Sequence, residues 1–158
     1  MAETIDIQSR RYIGCKAKLL PWIFNTIQNE TTNIKSFCDI FAGTGVVANE
    51  AIKKYETVLV NDILFSNQVI YKAFWDNGKV SKRKIQKLIA EFNSIDAKCL
   101  DDNYFSLDYG NKFFDIATAQ KIGFIRDYIE KETNNITLKE KNILLASLIY
   151  GMDKIANT

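Results

Sequence analysis

Gly43, Gly45 and Ala48, in the stretch DIFAGTGVVANEA, satisfy a G-x-G-x-x-G/A spacing between a short apolar run and a helical pattern. Glycines at such a place let the backbone approach a ligand, and the helix start that follows presents unpaired amides. Asp62 closes the next apolar run, where a carboxylate can accept hydrogen bonds from ribose hydroxyls. The chemistry indicated is the holding of an adenosine-containing cofactor. The spacing alone does not separate a dinucleotide from S-adenosyl-L-methionine, and a tight turn with Asp62 as a simple helix cap would meet the same pattern.

Two further features tilt the reading toward S-adenosyl-L-methionine. Asp39 and Phe41 precede the glycines, an acid and an aromatic where a methionine ammonium and an adenine ring need partners and a diphosphate does not. Upstream, RRYIGCKAKLL offers Tyr12 as an aromatic face and Lys16 as a cation for the cofactor's carboxylate, provided this segment folds over the strand ends. Taken alone, Tyr12 reads better as an aromatic anchor and Lys16 better as a solvated lysine at a helix start.

The elements that must position these groups follow from periodicity. Leu19, Leu20, Ile23, Phe24 and Ile27 mark one face of a helix over 18–28, with Pro21 tolerable in its first turn. Residues 34–42 read as a strand buried on both faces, 46–55 as a helix, and ETVLVND as a second, parallel strand. Strand, glycine turn, helix and strand make one βαβ unit. A helix over 66–75 with a possible Ser66 cap follows, then a basic amphipathic helix over 81–98 capped by Ser81. An irregular aromatic stretch over 99–116 leads to helices over 117–132 and 138–156. The second half shows no clear strand, and a soft boundary falls near residues 77–80.

Composition bounds the rest. The chain has 158 residues, of which 47% are hydrophobic and 25% charged, with a net charge of only +2, so the total does not force a nucleic-acid reading. With no apolar run near membrane-spanning length and a polar start, no membrane is expected and the compartment is read as cytoplasmic. Cys15, Cys38 and Cys99 are odd in number and widely spaced, as for reduced packing residues. Histidine is absent, which removes imidazole bases and histidine metal ligands, and no metal site is assigned.

Taken in order, R-Y-I-G-C-K, D-I-F-A-G-T-G and V-N-D-I resemble the N-terminal motifs of the D12-class, Dam-like, alpha-type DNA adenine-N6 methyltransferases. The resemblance runs motif by motif over about residues 8–75. It implies an α/β fold: an incomplete Rossmann-like S-adenosylmethionine-dependent methyltransferase core over 1–78, then a helical target-recognition subdomain over 79–158. It implies cofactor contacts from Tyr12, Lys16, Phe41, Gly43, Gly45 and Asp62, beside Asp39. It also implies double-stranded DNA as partner, in site-specific methylation of a restriction-modification kind.

The sequence departs from the family at the chemistry. Transfer to adenine N6 requires a [D/N/S]-P-P-[Y/F] motif, whose oxygen acceptors polarise the amine while the aromatic stacks the flipped base. Pro21 is the chain's single proline, so no such motif is present and no catalytic residue is assigned. The expectation is an N-terminal portion of such an enzyme, inactive alone and completed by a C-terminal portion or a second chain. The alternative is a non-catalytic cofactor- or DNA-binding module that works only with a partner. A nicotinamide-dependent protein would rest on the glycine turn alone. For DNA, Lys79, Lys82, Arg83, Lys84 and Lys87 offer a phosphate-contacting surface or an ordinary solvated face. Tyr104, Phe105, Tyr109, Phe113 and Phe114 fit packing better than base stacking.

Overall fold

The computed structural model describes residue 7, residues 16–132 and residues 135–156. The chain forms two compact units that divide between Phe74 and Trp75. In the first, a 3-10 turn over Lys16–Leu19 leads into helix α1 (Leu20–Glu30), with Pro21 in its opening turn, where its missing N–H costs nothing. Strand β1 (Ser36–Asp39), helix α2 (Val46–Ala51), strand β2 (Thr57–Val60) and helix α3 (Phe65–Trp75) follow. The strands are parallel and registered Ser36 to Thr57 through Asp39 to Val60, so α2 is the crossover that a parallel pair needs.

Burial alternates along both strands. Phe37 and Val58 pack inward with Phe24, Val47 and Ala51, and the Phe37 ring stacks on Tyr55 with centroids 5.3 Å apart. Ala48 and Ala51 are fully buried, small enough for α2 to lie close on the core. Cys38 and Leu59 point the other way and are exposed. The expectation of a strand buried on both faces is therefore corrected: among the described residues only one layer of helix covers the sheet. Strand, helix and turn limits also contract, β1 from 34–42 to Ser36–Asp39 and α2 from 46–55 to Val46–Ala51. Ser66 lies inside α3 and does not precede it.

The second unit is helical. Helix α4 (Lys82–Ser94), a 3-10 turn over Ala97–Cys99, and helices α5 (Tyr104–Tyr109), α6 (Ile116–Lys131) and α7 (Leu138–Ile155) enclose two apolar clusters. One joins Ile85, Phe92, Ile125, Ile129 and Leu144, the other Phe105, Phe114, Ala119 and Ile122. Ser81, Asn103, Asp115 and Thr137 cap α4, α5, α6 and α7, each accepting a hydrogen bond from the first turn. Helix α5 replaces the irregular stretch expected over 99–116; its signal was the reciprocal pair of Asn103 with Ser106. Cys38 and Cys99 are exposed free thiols and not the packing residues that their spacing suggested, while Cys15 lies outside the described residues.

Glu140 holds this unit at the entry to two helices. Its carboxylate is 2% exposed and accepts from Ser81 N and Thr137 N, both at 2.8 Å, and from Lys84 Nζ at 3.3 Å. Burial pushes its carboxyl up, but the two amides and Lys84 outweigh that and leave its pKa below the ordinary value. The stabilisation is thus present above the unfolded glutamate pKa and is lost as pH falls through the depressed folded one. Glu140→Ala strands two helix-start amides and removes the acid partner of Lys84, and is expected to cost about 3 kcal/mol, read from the urea midpoint of the isolated chain.

Candidate functional site

Beyond β1 and β2 the two segments stay joined: Asn61 N donates to Asp39 O at 2.8 Å and Ala42 N donates to Asn61 O at 3.0 Å. The Asn61 side-chain amide donates to Ile40 O at 3.0 Å. The turn between β1 and α2 is therefore anchored before it reaches its glycines. Gly43 and Gly45 take φ values of 56° and 81°, the left-handed region that a side chain disfavours, which is the local reason for both.

Asp62 closes this turn from the β2 side. One carboxylate oxygen accepts from Gly43 N at 2.8 Å, and the other accepts from Leu64 N and from Asn67 Nδ2, each at 2.9 Å. The Leu64 contact, two residues on, is the local turn by which an aspartate starts a helix. Asp62 is thus the helix-start residue that the sequence offered as one alternative, and it is also a partner of the glycine turn, a contact that the sequence did not suggest. From α3, Tyr71 Oη donates to Gly43 O at 2.6 Å.

Asp39 ends β1 beside this turn. Burial holds its carboxyl above the ordinary aspartate pKa; the Lys16 charge and a backbone hydrogen bond at Phe41 oppose this, and the Asp62 charge adds to it. Its Oδ2 is buried and has no hydrogen-bond partner among the described residues. Lys16 Nζ donates to Phe41 O at 3.2 Å, so the cation sits at the same strand end. The Phe41 ring is 75% exposed, and Ile63 and Phe65 beyond β2 are exposed as well.

Of the residues singled out from the sequence, Lys16, Asp39, Phe41, Gly43, Gly45 and Asp62 gather at the carboxyl ends of the two strands. Tyr12 lies outside the described residues. Chemically, the gathering offers an unpartnered carboxylate oxygen to a cation or hydroxyl, a cation to an anion, and an exposed aromatic face to a flat ring. Asn61, Asn67 and Tyr71 were missed. Their signal was Asn67, a polar side chain on the apolar face that it shares with Ile70 and Tyr71, where it is fully buried.

A family model described as D12 class N6 adenine-specific DNA methyltransferase matches residues 12–158. The chain belongs to this family. Type II methyltransferase M.CviAII of Paramecium bursaria Chlorella virus 1 is 32% identical over 157 residues, covering 93% of this chain and 46% of the relative. Modification methylase StsI of Streptococcus sanguinis is 36% identical over 163 residues, covering 94% of this chain and 24% of the relative. Type II methyltransferase M.NlaIII of Neisseria lactamica is 31% identical over 155 residues, covering 93% and 46%. The chain thus spans less than half the length of these relatives. No solved structure matches it significantly. The mixed α/β architecture with a small parallel sheet agrees with a methyltransferase fold. No helix among the described residues is long and apolar enough to cross a membrane.

At these strand ends the Asp62 carboxylate has a structural duty of its own. Asp62→Ala leaves the Gly43 amide, the Leu64 amide and the Asn67 side chain without their charged partner. The expected loss of stability is about 2 kcal/mol, measured by urea unfolding against the unsubstituted chain.

Proposed function

We propose that this chain is the cofactor-binding and target-recognition portion of a site-specific DNA adenine-N6 methyltransferase that uses S-adenosylmethionine. The single observation that carries the cofactor reading is Asp39 Oδ2, buried at the strand end without a hydrogen-bond partner among the described residues. A buried acceptor left unpaired is costly, and a ligand ammonium would satisfy it. A dinucleotide diphosphate would bring negative charge to the same place.

On this reading Asp39 receives the methionine ammonium, Lys16 with Tyr12 meets the cofactor's carboxylate and ring, and Phe41 stacks the adenine. Gly43 and Gly45 keep the bed free of side chains. Asp62 faces the ribose with a carboxylate that already has three donors, so its contact to the cofactor adds to a clamp. S-adenosylmethionine supplies an electrophilic methyl group on a sulfonium; the described residues bind and orient it. The first unit is part of a Rossmann-like core, with two of its strands, and the second, from Trp75, is the target-recognition region.

The acceptor side lies elsewhere. One proline in 158 residues excludes a Pro-Pro dipeptide, and nothing else in the chain is assigned to hold a flipped adenine amine. The exposed sheet face at Cys38 and Leu59, and the relatives' greater length, support completion by a C-terminal portion or a second chain. The reading as a non-catalytic binding module that needs a partner is favoured by the same proline count.

Titration calorimetry with S-adenosylmethionine and with NAD tests the cofactor: the methyl donor should bind and the dinucleotide should not, and a preference for NAD would sink the reading. Because the Asp39 carboxyl is raised, its cation-binding form is lost at a higher pH than for an ordinary aspartate. Cofactor affinity should fall on acidification starting above the usual aspartate range. Asp39→Asn should remove that dependence and weaken binding by roughly tenfold to a hundredfold near neutrality. In the absence of ligand, ionising Asp39 costs stability as pH rises through its raised pKa, so Asp39→Asn should stabilise the free chain there.

For duplex DNA, we assign phosphate contact to Lys82 and Arg83, which are exposed at the start of α4. Lys84 is engaged by Glu140 and by Asn135 O at 2.7 Å, and Lys87 pairs with Glu91 at 3.6 Å. Lys82→Ala is expected to lower the salt dependence of DNA binding by about one counterion, whereas Lys84→Ala should mainly lower stability. Equal salt slopes for the two variants would count against this assignment.

A further inference from the structure

Both backbone polar groups of Gly43 are held by side chains from outside the turn. Its N–H donates to Asp62 Oδ2 at 2.8 Å, and its carbonyl accepts from Tyr71 Oη at 2.6 Å. Asp62 is itself held by Asn67 Nδ2 at 2.9 Å. Asn67 and Tyr71 stand four residues apart on α3, one helical turn, and are 0% and 7% exposed. Thus a single buried face of α3 grips the glycine turn twice, once through the Asp62 carboxylate and once directly.

We propose that Asn67 and Tyr71 are positioning residues of the cofactor bed, which α3 holds in its ligand-ready form through the Gly43 peptide before the cofactor arrives. This rests on the S-adenosylmethionine reading of the turn. The physical argument is pre-organisation. Gly43 and Gly45 have positive φ and, as glycines, the widest conformational freedom of any residue, so ordering an unheld turn would weaken binding. Holding the N–H and the carbonyl of Gly43 fixes the peptide groups on both sides of it and removes that cost in advance. Neither Asn67 nor Tyr71 needs to touch the ligand for this. A further consequence is that Gly43 serves the ligand by lacking a side chain, since its amide already has an acceptor.

Tyr71→Phe keeps the ring and removes only the hydroxyl; Asn67→Leu keeps the size and removes the donor to Asp62. Two measurements on the full chain test the proposal: amide hydrogen exchange at Gly43 compared with Ala51 in α2 and with Ile52, whose N–H donates to Ala48 O at 2.9 Å, and titration with S-adenosylmethionine. The exposed Lys35→Ala serves as control. For Tyr71→Phe and Asn67→Leu, exchange at Gly43 should quicken about tenfold while Ala51 and Ile52 keep their protection, and cofactor affinity should fall about tenfold. Saturating cofactor should restore Gly43 protection in both variants. Unchanged Gly43 exchange, or equal acceleration at Gly43, Ala51 and Ile52, would overturn the positioning role. Unchanged affinity in variants whose parent chain binds would overturn it alone, whereas a parent chain that does not bind S-adenosylmethionine would overturn the cofactor reading with it.

Discussion

The contact between the Asp62 carboxylate and the Gly43 amide carries the joining of the two strands into the glycine turn. Backbone pairing runs past the four-residue strands through Asn61 to Ala42 and stops one residue short of Gly43. The carboxylate reaches across from the end of β2 to the turn after β1, and its second oxygen starts α3 through Leu64 and Asn67. Charge-assisted hydrogen bonds of this kind are roughly twice as strong as neutral ones, and here three converge on one side chain. The left-handed turn, the start of α3 and the mouth of the strand ends all depend on that convergence.

Asp39, on the neighbouring strand, shows the opposite arrangement. Its carboxyl is raised by burial and one oxygen has no partner among the described residues, so the free protein carries an unfavourable group at the place where a ligand cation would compensate it. One acid at the strand ends is bound into the structure and the other keeps an unpaired oxygen among the described residues. Fixed frame and unsatisfied acceptor side by side are what a pre-organised binding site requires.

Much of this was legible in the residues. The glycine spacing, the β-branched second strand and the Pro21 helix start announced one βαβ unit, because turn chemistry and periodicity are local properties. Ser81 identified the start of α4 for the same reason. What was not legible depends on partners distant in sequence. Whether the strands are covered on one face or two is set by which layers pack on them, and Cys38 and Leu59 look like core residues in the sequence yet are exposed. The grip of Tyr71 on Gly43 spans 28 residues and leaves no periodic trace. Lys84 could not be told from Lys82 until Glu140 was found beside it. The order of the three N-terminal motifs supplied the family, which neither charge nor composition could.

A chain built in this way should hold a methyl donor while lacking the group that would present the acceptor. The most direct test is to incubate the purified 158-residue chain with S-adenosylmethionine labelled in its methyl group and an adenine-containing duplex, then measure label retained by protein and label transferred to DNA. Saturable retention with no label in DNA is the predicted result. Label accumulating in the duplex, or no retention at any concentration of cofactor, would contradict it.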